Sequence, residues 1–293
     1  MENIFSLQKS TLQLLRFHFS FFLMPVYWFA LSQVPDVDWA KAILIFIILH
    51  LIVYPASNGY NSYMDRDETP IGGLENPLQP TRQLFYTTVI MDVIAVALSF
   101  AINTWFVICI IAYILASRAY SYRGIRLKKY PVVGYLTVIL FQGGVTYFMV
   151  HYGSSDIDRS VDTNPEAMLV ATLLIGGFYP LTQIYQHEAD KKDGVRTISS
   201  MLGYRGTFIF TAVVYAVAVA LLAHLLISSF QTTQFLVLQI FLLPILVYFF
   251  IWAAKVWKDE KEANFKNTMR MNLLASTYTN LGFITIFIIN HHG

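Results

Sequence analysis

The chain has 293 residues, of which 56% are hydrophobic and only 13% charged, with a formal net charge of +2. A soluble domain carries about 25% charged residues, so this composition excludes a soluble enzyme or a nucleic-acid binder and predicts an all-α protein threaded many times through a bilayer. The single cysteine, Cys109, excludes an internal disulfide and leaves a cysteine-ligated zinc or iron–sulfur centre without ligands.

Residues 1–20 show no short apolar core followed by a small-residue cleavage site, so no signal peptide is expected. Leu12, Leu15, Phe19 and Phe22 recur at helical spacing beside Lys9 and Arg16, which predicts an interfacial helix leading into the first span. Stretches apolar and long enough to cross a bilayer fall at 17–31, 40–57, 83–101, 105–120, 131–150, 167–185, 206–230, 235–257 and 271–290. That is about nine helices in one transmembrane domain spanning 1–293, with polar loops near 58–82 and 185–205.

The first of these loops carries the chemistry. After the second span the chain reads Asn58-Gly-Tyr-Asn61-Ser-Tyr-Met-Asp65-Arg-Asp67-Glu68-Thr69, three acids within four positions. Two unit charges 4 Å apart repel by about 4 kcal/mol at an effective dielectric near 20, so a cation is expected among them. If the preceding helix continues, Asn61, Asp65 and Glu68 share one face at i, i+4 and i+7. Further on, Asp92 lies inside the third span with no cation near it in sequence, either facing a cavity or held structurally.

The second loop repeats the pattern. After the sixth span, Gln186, Asp190 and Asp193 again read amide, Asp, acid, followed by Gly194. Two such faces turned toward each other make a hard-oxygen site suited to Mg²⁺. His187 lies between the second-motif ligands, as a proton carrier or a solvated loop histidine; His50, His151 and His224 near span ends read as interfacial. Gly143-Gly144 and Gly176-Gly177 read as close helix contacts.

Lys and Arg set the orientation. Arg66 and Arg82, the run from Arg118 to Lys129, Lys191 to Arg205 and Lys255 to Arg270 fall on one side, while the other collects Asp36, Asp38, Asp156, Asp158, Asp162 and Glu166 with only Lys41 and Arg159. The N-terminus and both acidic motifs are therefore expected on the cytoplasmic side. Their placement four helices apart suggests a duplication, helices one to four and five to eight, with a ninth added.

These motifs resemble those of the UbiA superfamily of intramembrane prenyltransferases, over essentially the whole chain. Asn61 and Asp65 match the first two positions of that family's Asn-x-x-x-Asp-x-x-x-Asp motif; the third falls on Thr69, with Glu68 or Asp67 as stand-ins. Glu75-Asn-Pro-Leu-Gln79-Pro is similar to its Asn-x-Pro-x-Arg-Pro segment, with Gln79 for the arginine and Arg82 as substitute. Tyr120-Ser-Tyr-Arg-Gly-Ile-Arg126-Leu-Lys128 resembles its Tyr-Ser-x-Pro-Pro-x-Arg-Leu-Lys loop without the prolines. Asp190, Gly194, Thr197 and Ile198 match the second acidic motif, where Gln186 replaces its first aspartate.

The resemblance implies a membrane enzyme that moves an isoprenyl chain from a prenyl diphosphate to a lipophilic acceptor within the bilayer, an aromatic one among the options. It implies Mg²⁺ held by Asn61, Asp65, Glu68, Gln186, Asp190 and Asp193, with Asp65, Asp190 and Asn61 central to catalysis. The diphosphate is expected to meet Arg126, Lys128, Lys191, Lys192, Arg196 and Arg82. Tyr60, Tyr63 or Tyr122 are candidates to face the developing carbocation, although any one aromatic more often packs. Thr69 and Gln186 lower the anionic charge, so weaker metal binding is expected. Two alternatives remain: a cyclase of the same fold acting on one prenyl diphosphate, and a non-catalytic lipid-binding or transport relative. Acceptor, chain length and oligomeric state are not encoded legibly.

Overall fold

Nine helices long and apolar enough to cross a membrane occur among residues 6–155 and 163–292, the part of the chain described by the computed structural model. They are α1 (Lys9–Ser32), α2 (Trp39–Asp65), α3 (Arg82–Ser99), α4 (Thr104–Ser121), α5 (Pro131–Gly153), α6 (Pro165–Lys192), α7 (Ile198–Ser228), α8 (Thr232–Lys258) and α9 (Phe265–His292). Asp156, Asp158, Arg159 and Asp162 lie outside the described residues. Neighbours in sequence pack side by side, and α9 returns to α1 to close the ring. One continuous core runs from Phe29 and Ile48 through Tyr147 and Val170 to Trp252 and Ile286. Outside it, α3 and α8 expose Ile90, Val93, Ile240 and Leu243, an apolar coat that suits lipid.

The helices are longer than the apolar stretches, so most motif residues ride on helix ends rather than in loops. α2 starts at Asp38, whose carboxylate accepts the backbone N–H of Lys41 at 3.0 Å, and runs to Asp65. It stops because Arg66 adopts a left-handed conformation (φ 56°). Within it, Ile47–Val53 forms a π-helical segment, and Leu140–Val145 does the same in α5. A β-carbon added to Gly143 would stand 2.5 Å from the Cα of Thr172, so this glycine permits the approach of α5 to α6. Pro180 cannot complete the hydrogen-bond ladder of α6, and a tighter turn at Ile184–Gln186 follows before the helix resumes to Lys192.

The N-terminal arm departs from the interfacial reading. Lys9–Leu15 packs into the bundle, with Leu14 and Leu15 each 1% exposed against Ile71 and Leu84, while Leu12 points outward. The helix then breaks at Arg16 (φ 48°), which turns its side chain inward. His50 also differs from expectation: it is buried in the π segment, with Nδ1 3.2 Å from the carbonyl of Ser20.

Candidate active site

The ends of α2 and α6 meet at one cavity with about 1220 Å³ of open space, mouth included. Asn61, Asp65 and Asp67 enter from the first motif and Gln186, Asp190 and Asp193 from the second. Asp65 and Asp190 thus share a single cavity, as the repeated spacing requires.

Asp65 is the hub. Its side chain is 5% exposed and forms an ion pair with Lys128, while the Arg126 guanidinium stands 3.8 Å away and itself pairs with Asp193. Arg123 donates to the carbonyls of Met64 (2.7 Å) and Asp65 (3.4 Å), capping the carbonyl end of α2. The α4–α5 loop therefore supplies cations to both acidic motifs. Asn61 donates its amide to Ser121 Oγ at 2.9 Å, and Gln186 donates weakly to the carbonyl of Pro70 at 3.4 Å.

Several expectations need correction. Glu68 is exposed and does not line the cavity; Asp67 does, because the helix ends at Asp65 and the left-handed Arg66 breaks the i+7 register. Asp67→Asn is therefore expected to lower turnover about tenfold or more, whereas Glu68→Gln leaves it within about twofold; the two rates under saturating donor decide it. Lys191, Lys192, Arg196 and Arg82 are exposed and absent from the cavity wall, since proximity in sequence does not turn a side chain inward. Tyr60 instead lies under Arg118 at 3.9 Å, Tyr63 packs on Phe85, and Tyr122 is exposed. The aromatic residues that line the cavity are Phe19, Tyr113, Tyr120, Phe141, Tyr179 and Tyr185. Tyr120 and Tyr179 share a 2.5 Å hydroxyl contact, and Gln183 donates to Tyr179 at 2.9 Å. Asp92 pairs with Arg118 across α3 and α4, a partner too distant in sequence to foresee. His187 turns away from the acids, with Nε2 2.8 Å from Ser199 Oγ and its ring stacked on Tyr204.

Sequence reasoning missed Arg16. It is 6% exposed, lines the cavity, and donates to the carbonyls of Gly72 (3.1 Å) and Asn58 (3.2 Å). It thus ties the segment after the first motif over the mouth, where Gly73 adopts φ 84° against the His18 ring. Nothing in its sequence neighbourhood, an apolar stripe that also holds Lys9, pointed to this.

The donor set suits a hard cation. Asp65 Oδ1 and Asp190 Oδ2 are buried oxygens without hydrogen-bond partners; the first has only the Arg126 guanidinium at 3.8 Å, and both leave room for a closer cation. Among the described residues no three His, Cys, Asp or Glu side chains are gathered closely enough to hold a metal alone. That fits Mg²⁺, which is commonly held by one or two carboxylates with substrate phosphates completing its shell. Burial, reinforced by the Asp65 carboxylate, pushes the Asp67 carboxyl up to about 6 against the pull of Lys128 and Arg16.

The sequence profile described as the UbiA prenyltransferase family matches residues 21–274. The chain is 25% identical over 228 residues to the bacteriochlorophyll synthase 33 kDa chain of Cereibacter sphaeroides, covering 73% of this chain and 74% of that one. Its fold is similar to that of a UbiA homologue from Archaeoglobus fulgidus bound to GPP and Mg²⁺, with TM-score 0.70 and 18% identity over 95% of this chain and 99% of that one. An apo UbiA homologue from Aeropyrum pernix K1 gives TM-score 0.68 and 19% identity over 92% and 97% of the two chains.

Proposed function

The chain belongs to the UbiA prenyltransferase family, and from that membership we propose that it transfers an isoprenyl chain from a prenyl diphosphate to a lipophilic acceptor inside the bilayer, with Mg²⁺. The observation that carries this reading is the convergence of Asp65, Asp190 and Lys128 on one cavity that Tyr113, Tyr120, Phe141 and Tyr179 also line. A charged head and a hydrocarbon tail need such a divided site.

In this reading Asn61, Asp65, Asp67, Gln186, Asp190 and Asp193 surround the metal and the diphosphate. Mg²⁺, when bound, neutralises the leaving diphosphate and so lowers the cost of breaking the allylic C–O bond. Lys128 and Arg126 neutralise Asp65 and Asp193 in the ligand-free state, and exchange these carboxylates for phosphate oxygens when substrate enters. Arg16 closes the mouth and adds positive potential. Tyr113, Phe141 and Tyr179 line the cavity, and in this reading their rings stabilise the developing allylic cation. The clustering of Lys and Arg supports a mouth on the cytoplasmic side.

The test is pyrophosphate release in detergent from a panel of prenyl diphosphates, with and without Mg²⁺. Release that requires Mg²⁺ and rises with lipophilic acceptors supports transfer. No release from any donor by folded protein overturns it, and release unaffected by acceptor, with a cyclised product, favours the cyclase.

Metal binding should also follow pH. The Asp67 carboxyl is raised from 3.8 to about 6 in the ligand-free fold, so its contribution to stability is fully present below pH 3.8 and is lost as pH rises through about 6. Above that pH the charged carboxylate is available to a cation. Mg²⁺ with a non-hydrolysable diphosphate is therefore expected to raise the unfolding midpoint more at pH 7.5 than at pH 5, read by thermal shift. An equal rise at both would remove Asp67 from the site.

A further inference from the structure

The cavity holds unpaired polar atoms of two kinds. Asp65 Oδ1 and Asp190 Oδ2 are acceptors and suit a cation. Opposite in kind are three buried donors without partners: Arg16 Nε, the Asn58 amide nitrogen and the Tyr185 hydroxyl. All three residues line the same cavity, from α1, α2 and α6. Arg16 links them, since it donates to the Asn58 carbonyl at 3.2 Å and lies within electrostatic reach of Tyr185. A buried donor without an acceptor is costly, and three in one cavity point to an anionic oxygen as their partner.

Tyr185 differs from the cations around it. Lys128 and Arg126 are engaged by carboxylates, and Arg16 is tied to two carbonyls. The Tyr185 hydroxyl is tied to nothing. Its ring meets Phe265, at the start of α9, edge-on with centroids 5.3 Å apart, a contact that braces the ring without engaging the hydroxyl. The residue lies within electrostatic reach of Asp67 and Asp190, two of the acids placed around the metal in the prenyl-transfer reading. A phenol keeps its proton at neutral pH, so toward an anion it acts as a donor.

We propose that Tyr185 is a catalytic residue whose hydroxyl donates a hydrogen bond to the diphosphate oxygen that leaves the allylic carbon, with the Asn58 amide donating to the same phosphate. The C–O bond breaks with its electron pair passing to that oxygen, and the phenol keeps its proton. That oxygen carries little charge in the bound donor and far more once the bond has broken. The hydrogen bond therefore strengthens as the reaction proceeds, which lowers the barrier more than it tightens binding. The assignment rests on the prenyl-transfer reading and adds to it a group that acts on bond cleavage rather than on donor capture.

The test is Tyr185→Phe in the full chain in lipid nanodiscs, with Mg²⁺ and the donor cleaved fastest by the native chain. The ring and its contact with Phe265 remain, so the unfolding midpoint of ligand-free protein should hold or rise. Single-turnover pyrophosphate release at saturating donor should fall about thirtyfold, while KM for the donor changes less than twofold. Pyrophosphate with Mg²⁺, whose oxygen carries the full charge, should bind about tenfold more weakly, read by thermal shift. An unchanged rate, or a KM that rises as much as the rate falls, overturns the assignment. Should the variant not fold, Asn58→Ala gives the same pyrophosphate-binding test. The two readings fail separately. Donor cleavage that Tyr185→Phe matches sinks the role of Tyr185 alone. No cleavage of any donor by the folded native chain sinks prenyl transfer, and weaker pyrophosphate binding in the variant then leaves only a diphosphate-binding hydroxyl.

Discussion

Asp65→Ala should lower the single-turnover rate of pyrophosphate release by at least about a thousandfold, roughly 4 kcal/mol of barrier, while the protein remains folded. The size follows from how much converges on this carboxylate. Its Oδ2 pairs with Lys128, and its buried Oδ1, which accepts no hydrogen bond, lies 3.8 Å from the Arg126 guanidinium. Removing it takes away a proposed metal ligand and leaves Lys128 without its carboxylate partner. Breaking a fully buried pair costs about 3–5 kcal/mol of stability, but Lys128 lines an open cavity and can reach water, so a much smaller loss is expected here. Thermal unfolding shifted by a few degrees, with the rate all but gone, is the expected pattern. Asp190→Ala should behave in the same way. A near-native rate for either variant would displace the site.

Arg16→Met should lower kcat/KM for the diphosphate about a hundredfold, through closure and electrostatics together. The guanidinium holds the carbonyls of Gly72 and Asn58, one beyond the first motif and one within it. Methionine keeps the packing of the stem but releases the segment over the mouth. Arg16→Lys should recover little, because one ammonium does not reproduce a planar fork meeting two carbonyls. Limited proteolysis in the stretch 66–81 should accelerate in both variants. An unchanged KM with that stretch still protected would show that Arg16 only fills space.

The site was legible where spacing alone decides orientation. Asn61 to Asp65, and Gln186 to Asp190, are each one helical turn, and they face the cavity in spite of the tighter turn at Ile184–Gln186. It was not legible where the backbone makes a local choice. Nothing in Arg66 signals a left-handed residue in the way a glycine would, yet that conformation exchanges Glu68 for Asp67. Nor was it legible where a partner comes from a distant helix. Arg16 looked like an interfacial residue beside an apolar stripe, and Asp92 looked unpaired until α4 brought Arg118 to it. The nine spans needed only hydropathy and length, whereas choosing the cavity aromatics among 18 tyrosines and 23 phenylalanines needed tertiary packing.

The π turn at Ile47–Val53 lies between the start of α2 and the end that reaches the cavity. Such a turn accommodates one extra residue within an α-helix, and each residue advances the helix by about 100°. The turn thus takes up one position while Asn58, Asn61 and Asp65 keep their angular phase. Deleting the outward-facing Leu51 would let α2 relax to regular pitch with all three still turned toward α6, whereas a residue inserted between Val53 and Asn58 would rotate them by about 100° as a unit and disarm the enzyme without altering any of its polar residues.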